Sequence, residues 1–256
     1  MPGHRHVSAS CASVTGPSAE PPYTRAMRDP EILHVNDVAA SALELFVRTQ
    51  RSAVAARGRF VTALSGGSTP LPMYRALASR ADLPWDATWV AWGDERYVPL
   101  DHPDSNAGAA RGAFLDAVPI PPEQVLPWPH LATPEASARA YADALRHALG
   151  DPPTFDLTLL GLGADGHTAS LFPGTGAALE PGPTLVVRPA DQPQIRLSLA
   201  AAALGRSRVV AFLIGGEEKR AALRATLHGT GDLDRFPARA IGALERLLVI
   251  TDLDEV

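Results

Sequence analysis

Cysteine is almost missing from this chain: Cys11 stands alone among 256 residues. That excludes an intrachain disulfide framework and a cysteine-built zinc cage, and it fits a reducing cytoplasm. Long apolar runs are missing too. None approaches the ~18 residues a membrane-spanning helix needs, and the first residues lack the apolar stretch of a signal peptide. Positive charge is in deficit, with 23 Lys and Arg against 28 Asp and Glu and a formal net charge of -5. Nucleic-acid and membrane-surface partners normally require a basic face, so neither is expected; a local basic pocket is compatible with the balance.

What is present is an ordinary globular composition, 46% hydrophobic and 20% charged, enough for one large α/β domain or two small ones without covalent staples. Residues 1–28, rich in Ser, Pro, Ala and His, read as a disordered tail, in which His4 and His6 are solvated rather than ligating. From there on neither an internal repeat nor a marked linker is found, so 29–256 is expected to form a single domain. No partner protein is indicated, and a monomer is expected.

Periodicity predicts strands alternating with helices. Asn36 and Asp37 are candidate caps for a helix whose apolar residues Val38, Ala42, Leu45, Phe46 and Ala53 recur at helical spacing up to Gly58. Phe60 to Leu64 reads as a strand. Pro70 at a first helical position, with Ser68 or Thr69 as cap, predicts a helix to about Ala81. Trp89 to Trp92, Leu157 to Leu160, Arg208 to Ile214 and Leu247 to Thr251 are further strands. Helical segments are expected around 104–116 and 134–149 and from Gly215-Gly216 to about Leu227, and residues 183–199 form a small β-rich excursion. The pattern predicts an α/β fold, a doubly wound, mostly parallel, Rossmann-like sheet flanked by helices, with its chemistry at the strand C-terminal ends.

The most informative stretch is Phe155 to Pro173, where a glycine-rich turn carries a histidine directly after a buried-type strand. Gly161, Gly163 and Gly166 have the G-x-G-x-x-G spacing of dinucleotide sites. That fingerprint needs a long helix opening at the last glycine and an acid about 20 residues on, whereas Pro173 and Gly174 close the segment and Glu180 sits in a Pro/Gly loop. Asp165 and His167 flank Gly166, and an acid beside a histidine orients the ring. With no second histidine at ligand spacing, a metal site has little support.

Ser65, Gly66, Gly67, Ser68 and Thr69 follow the first strong strand and precede a helix start, a concave set of backbone N–H groups suited to phosphate or sugar oxygens, or simply a tight turn. Pro70 stands where a nucleophile elbow needs glycine, which weakens a serine-hydrolase reading. Asp94-Glu95-Arg96 puts three charges at a strand end, either as a surface ion-pair cluster or with one pointing into a site. Asp104-Ser105-Asn106 reads as a helix cap. Arg196 alternates with Ile195, Leu197 and Leu199 and by itself passes for a solvated strand arginine. Lys219 falls in a first helical turn, where the macrodipole disfavours cations by roughly 0.3–1 kcal/mol; either an anionic ligand or pairing with Glu217 or Glu218 explains it.

Taken together, Leu64 to Pro70, Trp92 to Pro99 with Asp104-Ser-Asn106, Phe155 to Pro173, Arg196-Leu-Ser and Gly215 to Lys219 closely resemble the 6-phosphogluconolactonase family, over nearly everything after the tail. The resemblance implies a sugar-phosphate isomerase-like fold and hydrolysis of 6-phospho-D-glucono-1,5-lactone, a phosphorylated sugar lactone, without metal or organic cofactor. It also implies His167 as the base that activates water, Arg196 and Lys219 on the phosphate, and the Ser65 to Thr69 loop with Asp94 and Arg96 around the lactone ring. Asp165 is expected to orient His167, and Gly163 and Gly166 to border the substrate. The related glucosamine-6-phosphate deaminases carry a glutamate five residues beyond the histidine, where this chain has Phe172, and tend to carry tyrosine where it has Arg96. A phenyl ring cannot shuttle a proton, so the isomerase chemistry lacks its acid. A non-catalytic sugar-phosphate sensor is the remaining alternative, disfavoured because base and cations are all retained.

Overall fold

The computed structural model describes residues 30–190 and 192–256; the tail expected to be disordered, with His4, His6 and Cys11, lies outside the described residues. In chain order the regular elements are β1 (Glu31–His34), α1 (Val38–Arg57), β2 (Phe60–Leu64), α2 (Leu71–Leu77), β3 (Thr88–Trp92), β4 (Asp94–Arg96), α3 (Asn106–Ala113), α4 (Pro134–Leu149), β5 (Phe155–Leu160), β6 (Thr184–Val187), β7 (Arg196–Leu199), α5 (Ala201–Leu204), β8 (Ser207–Ile214), α6 (Arg220–His228) and β9 (Arg246–Thr251). Six strands form one sheet in the order β1-β9-β8-β5-β2-β3, every pairing parallel. A second sheet of three antiparallel strands, β4-β7-β6, accounts for the β-rich excursion.

The parallel sheet is flanked by helices. Strands β2 and β5 are buried at every position, the signature of a strand covered on both faces. Helix α1 packs across β2, β5, β8 and β9 through Leu45, Phe46 and Ala53, with the Phe46 ring edge-on to Phe60 at 5.2 Å. Asp37 caps α1, accepting the Ala40 N–H at 3.0 Å, and Gly58 ends it in the left-handed conformation. Helix α4, capped by Thr133, lies against β6 and β7 of the small sheet.

Among the elements that depart from the sequence reading, three have a plain local reason. Strand β1 pairs only with β9 at the sheet edge, and its four residues show no alternation that marks a half-buried strand. Strand β4 is three charged residues, with no strand propensity of their own, that pair with β7. Helix α2 opens at Leu71 rather than Pro70, without a side-chain cap, and stops at Leu77 instead of Ala81. It stops because the Arg80 carbonyl receives the Leu83 N–H at 3.2 Å and the Trp85 indole N–H at 2.7 Å, which pull the chain into a turn. The hydroxyls of Ser68 and Thr69, expected as caps, are therefore not used by the helix.

Strand order places the site. From β2 the chain runs to β3 on one side, while β5 and β8 lie on the other. The carboxyl ends of β2 and β5 thus flank a topological switch point, where open parallel sheets form a crevice.

Candidate active site

The loop after β5 is wound around its own backbone. The Gly163 N–H donates to the His167 carbonyl at 2.7 Å and the Gly166 N–H to the Gly163 carbonyl at 3.0 Å. No helix opens at Gly166, as expected from Pro173 and Gly174. The winding brings Asp165 and His167 together: Asp165 Oδ1 accepts the His167 backbone N–H at 3.1 Å and lies 2.6 Å from His167 Nδ1. Gly163 leaves room for this pair, since a Cβ there would stand 2.1 Å from His167 Nδ1 and 2.3 Å from Asp165 Oδ1. Burial pushes the Asp165 carboxyl up, but the His167 backbone N–H, ring and charge outweigh it and hold the group below the ordinary carboxylate value. An ionised carboxylate only accepts, so Nδ1 carries the hydrogen, and the tautomer this selects for the uncharged ring has its lone pair on Nε2. Against the ring lies Phe172, centroids 4.6 Å apart and planes 25° from parallel.

Beyond His167 the loop is pinned at both sides. Thr168 Oγ1 donates to the Gly161 carbonyl at 2.8 Å and Ser170 Oγ to Asp94 Oδ2 at 2.7 Å. Between them Ala169 takes a φ of 47°, one of two non-glycine residues in the left-handed region among those described. That conformation is uncommon for a residue with a Cβ and is held here by the anchored neighbours.

Asp94 reaches Ser170 because Gly93 passes the chain straight from β3 of the large sheet to β4 of the small one, its N–H on the Leu64 carbonyl at 2.9 Å and its carbonyl receiving Leu199 N–H at 2.8 Å. Of the three adjacent charges only Glu95 turns inward, 4% exposed. Its carboxylate receives the N–H groups of Arg96 (2.8 Å), Asn106 (2.7 Å) and Ala107 (2.9 Å) and the Ser105 hydroxyl (3.0 Å). Burial pushes this carboxyl up, the three N–H groups oppose it, and Asp94 adds to the rise; the result lies above the ordinary value. Glu95 thereby ties β4 to the start of α3. Ser105 caps α3, accepting the Gly108 N–H at 3.0 Å, as its sequence position predicts.

Asn106, read from sequence only as part of that cap, does more. Its Nδ2 donates to the Asp94 carbonyl at 3.0 Å, and its carboxamide fills the space above Gly66, where a Cβ would meet Oδ1 at 1.9 Å. The Ser65 to Thr69 loop is thus seated against the same unit as Asp94. Tyr74 fixes the loop's start, donating to the Ser65 carbonyl at 2.7 Å and accepting the Ser65 N–H at 3.2 Å; burial pushes its phenol up. Gly161 lies beside Ser65, whose Oγ would be 3.9 Å from a Cβ on Gly161, so the β2 and β5 loops meet across the switch point.

The cations differ in setting. Arg196 is 7% exposed, not solvated as its alternation suggests, because β4 and β6 pair on both its sides. Its Nη2 donates to Gln192 Oε1 at 2.9 Å, while Nε and Nη1 are buried without a partner. Burial and the neighbouring Arg96 push its pKa down, against Asp94, Asp104 and Glu95. Arg96 itself donates through Nη1 to the Asp104 carbonyl at 2.7 Å. Lys219 ends a 3-10 turn, Glu217–Lys219, and precedes α6. Glu217 pairs with Arg220, Nη2 to Oε2 at 2.9 Å, so of the two carboxylates offered as alternatives for Lys219 this one is engaged elsewhere. Lys219 follows β8, next to β5, and so lies at the same end of the sheet as the loop after β5.

Two features lie apart. A cavity of about 650 Å³ opens beside Phe155, Leu145 and Leu199; Phe155 starts β5, so this cavity is at the opposite end of the sheet from His167 and holds none of the expected site residues. Among the described residues no cluster of three or more His, Cys, Asp or Glu could hold a metal ion, and no helix is long and apolar enough to cross a membrane.

A parallel α/β sheet that gathers a histidine–carboxylate pair, a glycine loop and a buried arginine at its carboxyl edge defines a class of protein acting on small polar ligands. The chain belongs to the family described as glucosamine-6-phosphate isomerases/6-phosphogluconolactonase, which matches residues 34–249. It is 45% identical over 205 residues to the 6-phosphogluconolactonase of Synechocystis, covering 78% of this chain and 85% of that protein. The crystal structure of the 6-phosphogluconolactonase from Thermotoga maritima superposes with a TM-score of 0.79 at 28% identity, covering 87% of this chain and 99% of that one. A monomeric glucosamine-6-phosphate deaminase shares the fold as well, with a TM-score of 0.75 at 23% identity over 86% of this chain and 97% of the other. The fold therefore does not separate the two activities, and the residues must.

Proposed function

We propose that the chain hydrolyses 6-phospho-D-glucono-1,5-lactone to 6-phospho-D-gluconate in the oxidative branch of the pentose phosphate pathway, as a cytoplasmic monomer without metal or organic cofactor. The observation that carries the reading is the His167 ring: Nδ1 committed to Asp165 at 2.6 Å, Nε2 left with its lone pair, and Phe172 against the ring where the deaminases carry a carboxylic acid.

A δ-lactone opens with modest help, so a positioned base supplying roughly 10²–10⁴-fold suffices beside orientation of the substrate. Nε2 takes a proton from water as the water oxygen bonds to C1, and Asp165 stabilises the imidazolium. The oxyanion faces N–H donors of the Ser65 to Thr69 loop or Arg96; the N–H groups of Gly163 and Gly166 are already spent within their own loop. The C1–O5 bond then breaks, O5 takes the proton from Nε2, and the new carboxylic acid ionises. Asp94, held by Ser170, and Arg96 border the ring. Arg196 and Lys219 take the remote phosphate, whose binding energy fixes the register of the lactone.

The test follows 6-phosphogluconate formation from freshly generated lactone. Wild-type turnover should exceed the spontaneous rate, and His167→Ala should fall to near background; near-normal activity in that variant removes the base role. Ammonia release from glucosamine-6-phosphate would favour the deaminase instead, and ligand binding with no turnover of either substrate a sensor.

A further inference from the structure

The reaction as written uses His167 and Asp165 but assigns nothing to the ring that lies against the imidazole. Phe172 is 8% exposed and belongs to the buried core. Its carbonyl accepts the Thr175 hydroxyl at 2.7 Å, and the preceding Leu171 is fully buried and bonded to Thr168, N–H to carbonyl at 2.9 Å. The phenyl ring is thus fixed from the core side, whereas the side chain of His167 is 33% exposed. A single hydrogen bond to Asp165 holds one ring atom but leaves the imidazole free to tilt about the Nδ1···Oδ1 line and carry Nε2 out of line. Gly163 crowds the Nδ1 edge of the ring, where a Cβ on it would stand only 2.1 Å from Nδ1. The face of the ring is bounded by the near-parallel contact with Phe172 at 4.6 Å, in the offset geometry that aromatic pairs prefer.

We propose that Phe172 is a positioning residue for the lactonase reaction: as a rigid wall against the imidazole it holds Nε2 aimed at the attacking water. The inference rests on the assignment of His167 as base. It requires a flat, stiff surface rather than mere apolar volume, which separates it from a packing role. A methionine fills similar space with three rotatable bonds and would preserve the core without walling the ring; a tyrosine would preserve the wall.

The experiment compares Phe172→Met and Phe172→Tyr with wild type, by lactonase kinetics and by the proton resonances of the His167 ring. In wild type the ring protons should be shifted by the ring current of Phe172. Phe172→Met should abolish that shift and lower kcat by about tenfold or more with KM within about twofold, because orientation and not capture is lost. Phe172→Tyr should restore both the shift and most of kcat. A Met variant that keeps kcat, or a loss of kcat that Tyr does not rescue, overturns the proposal. So does a fall in activity matched by a smaller folded fraction with the ring shift intact. The resonances need no substrate, so a wild-type protein without lactonase activity would remove the base assignment while the contact with Phe172 is still read directly.

Discussion

Arg96 and Arg196 stand directly opposite each other on the antiparallel strands β4 and β7. Like charges in that relation repel, and the buried Nε and Nη1 of Arg196 lack partners, which supports the proposed role of Arg196 in holding the substrate's phosphate. Arg196→Ala is expected to raise KM and lower kcat/KM by on the order of 10–100-fold with kcat little changed, given the strength of hydrogen bonds to charged groups. An unchanged KM with reduced turnover would place the phosphate elsewhere. Inorganic phosphate should raise the Tm of wild type and raise that of the variant less.

Gly163→Ala tests whether the dyad depends on a missing Cβ. The added methyl would stand 2.1 Å from His167 Nδ1 and 2.3 Å from Asp165 Oδ1, so the pair must shift from its present geometry. Activity should fall by roughly 10²-fold or more, the range of a lost base, while urea denaturation changes little because the clash falls on the partly exposed side chains of His167 and Asp165.

Asp165→Asn should remove a small acid-dependent part of stability. The folded carboxyl lies below its ordinary value, so its contribution is complete above the unfolded pKa of about 3.9 and is lost as pH falls through the lower folded value. The side chain is 55% exposed, and solvent screening limits the term to less than about 1 kcal/mol. Chemical denaturation at pH 3 and pH 7 should show the wild-type and variant curves converging in acid.

Glu95→Ala should cost more than its distance from the reacting atoms suggests. It strands three N–H groups and a hydroxyl that the carboxylate now accepts, at roughly 1–3 kcal/mol for each group that water cannot reach. A lower urea midpoint together with reduced kcat would show that β4 and α3 share this anchor; normal stability would contradict it.

Much of this molecule is legible in its sequence, and the parts that are not share one cause. Helices α1 and α4 announce themselves by periodicity and caps, because their burial repeats at helical spacing, and strands β2 and β5 by short, nearly continuous apolar runs. Strand β4 does not, since Asp94, Glu95 and Arg96 become a strand only by pairing with β7. With β4 unseen, the burial of Arg196 and the role of Glu95 were unseen too. His167 and Asp165 were readable as a pair because two residues of separation on a glycine turn bring them together locally. The link from Ser170 to Asp94 spans 76 positions and has no sequence signal. Phe172 was visible as a departure from the deaminases, but its contact with the imidazole is a fact of geometry.

The left-handed backbone at Ala169 sets which side chains position 169 can accept, independently of anything the reaction requires. Glycine and asparagine enter that conformation readily, whereas valine, isoleucine and threonine do not. Diversity at 169 should therefore be narrow and small in volume even though its side chain is assigned no chemistry. A substitution there would act on the enzyme by unseating Ser170 and Asp94, a defect that mimics a mutation on another strand.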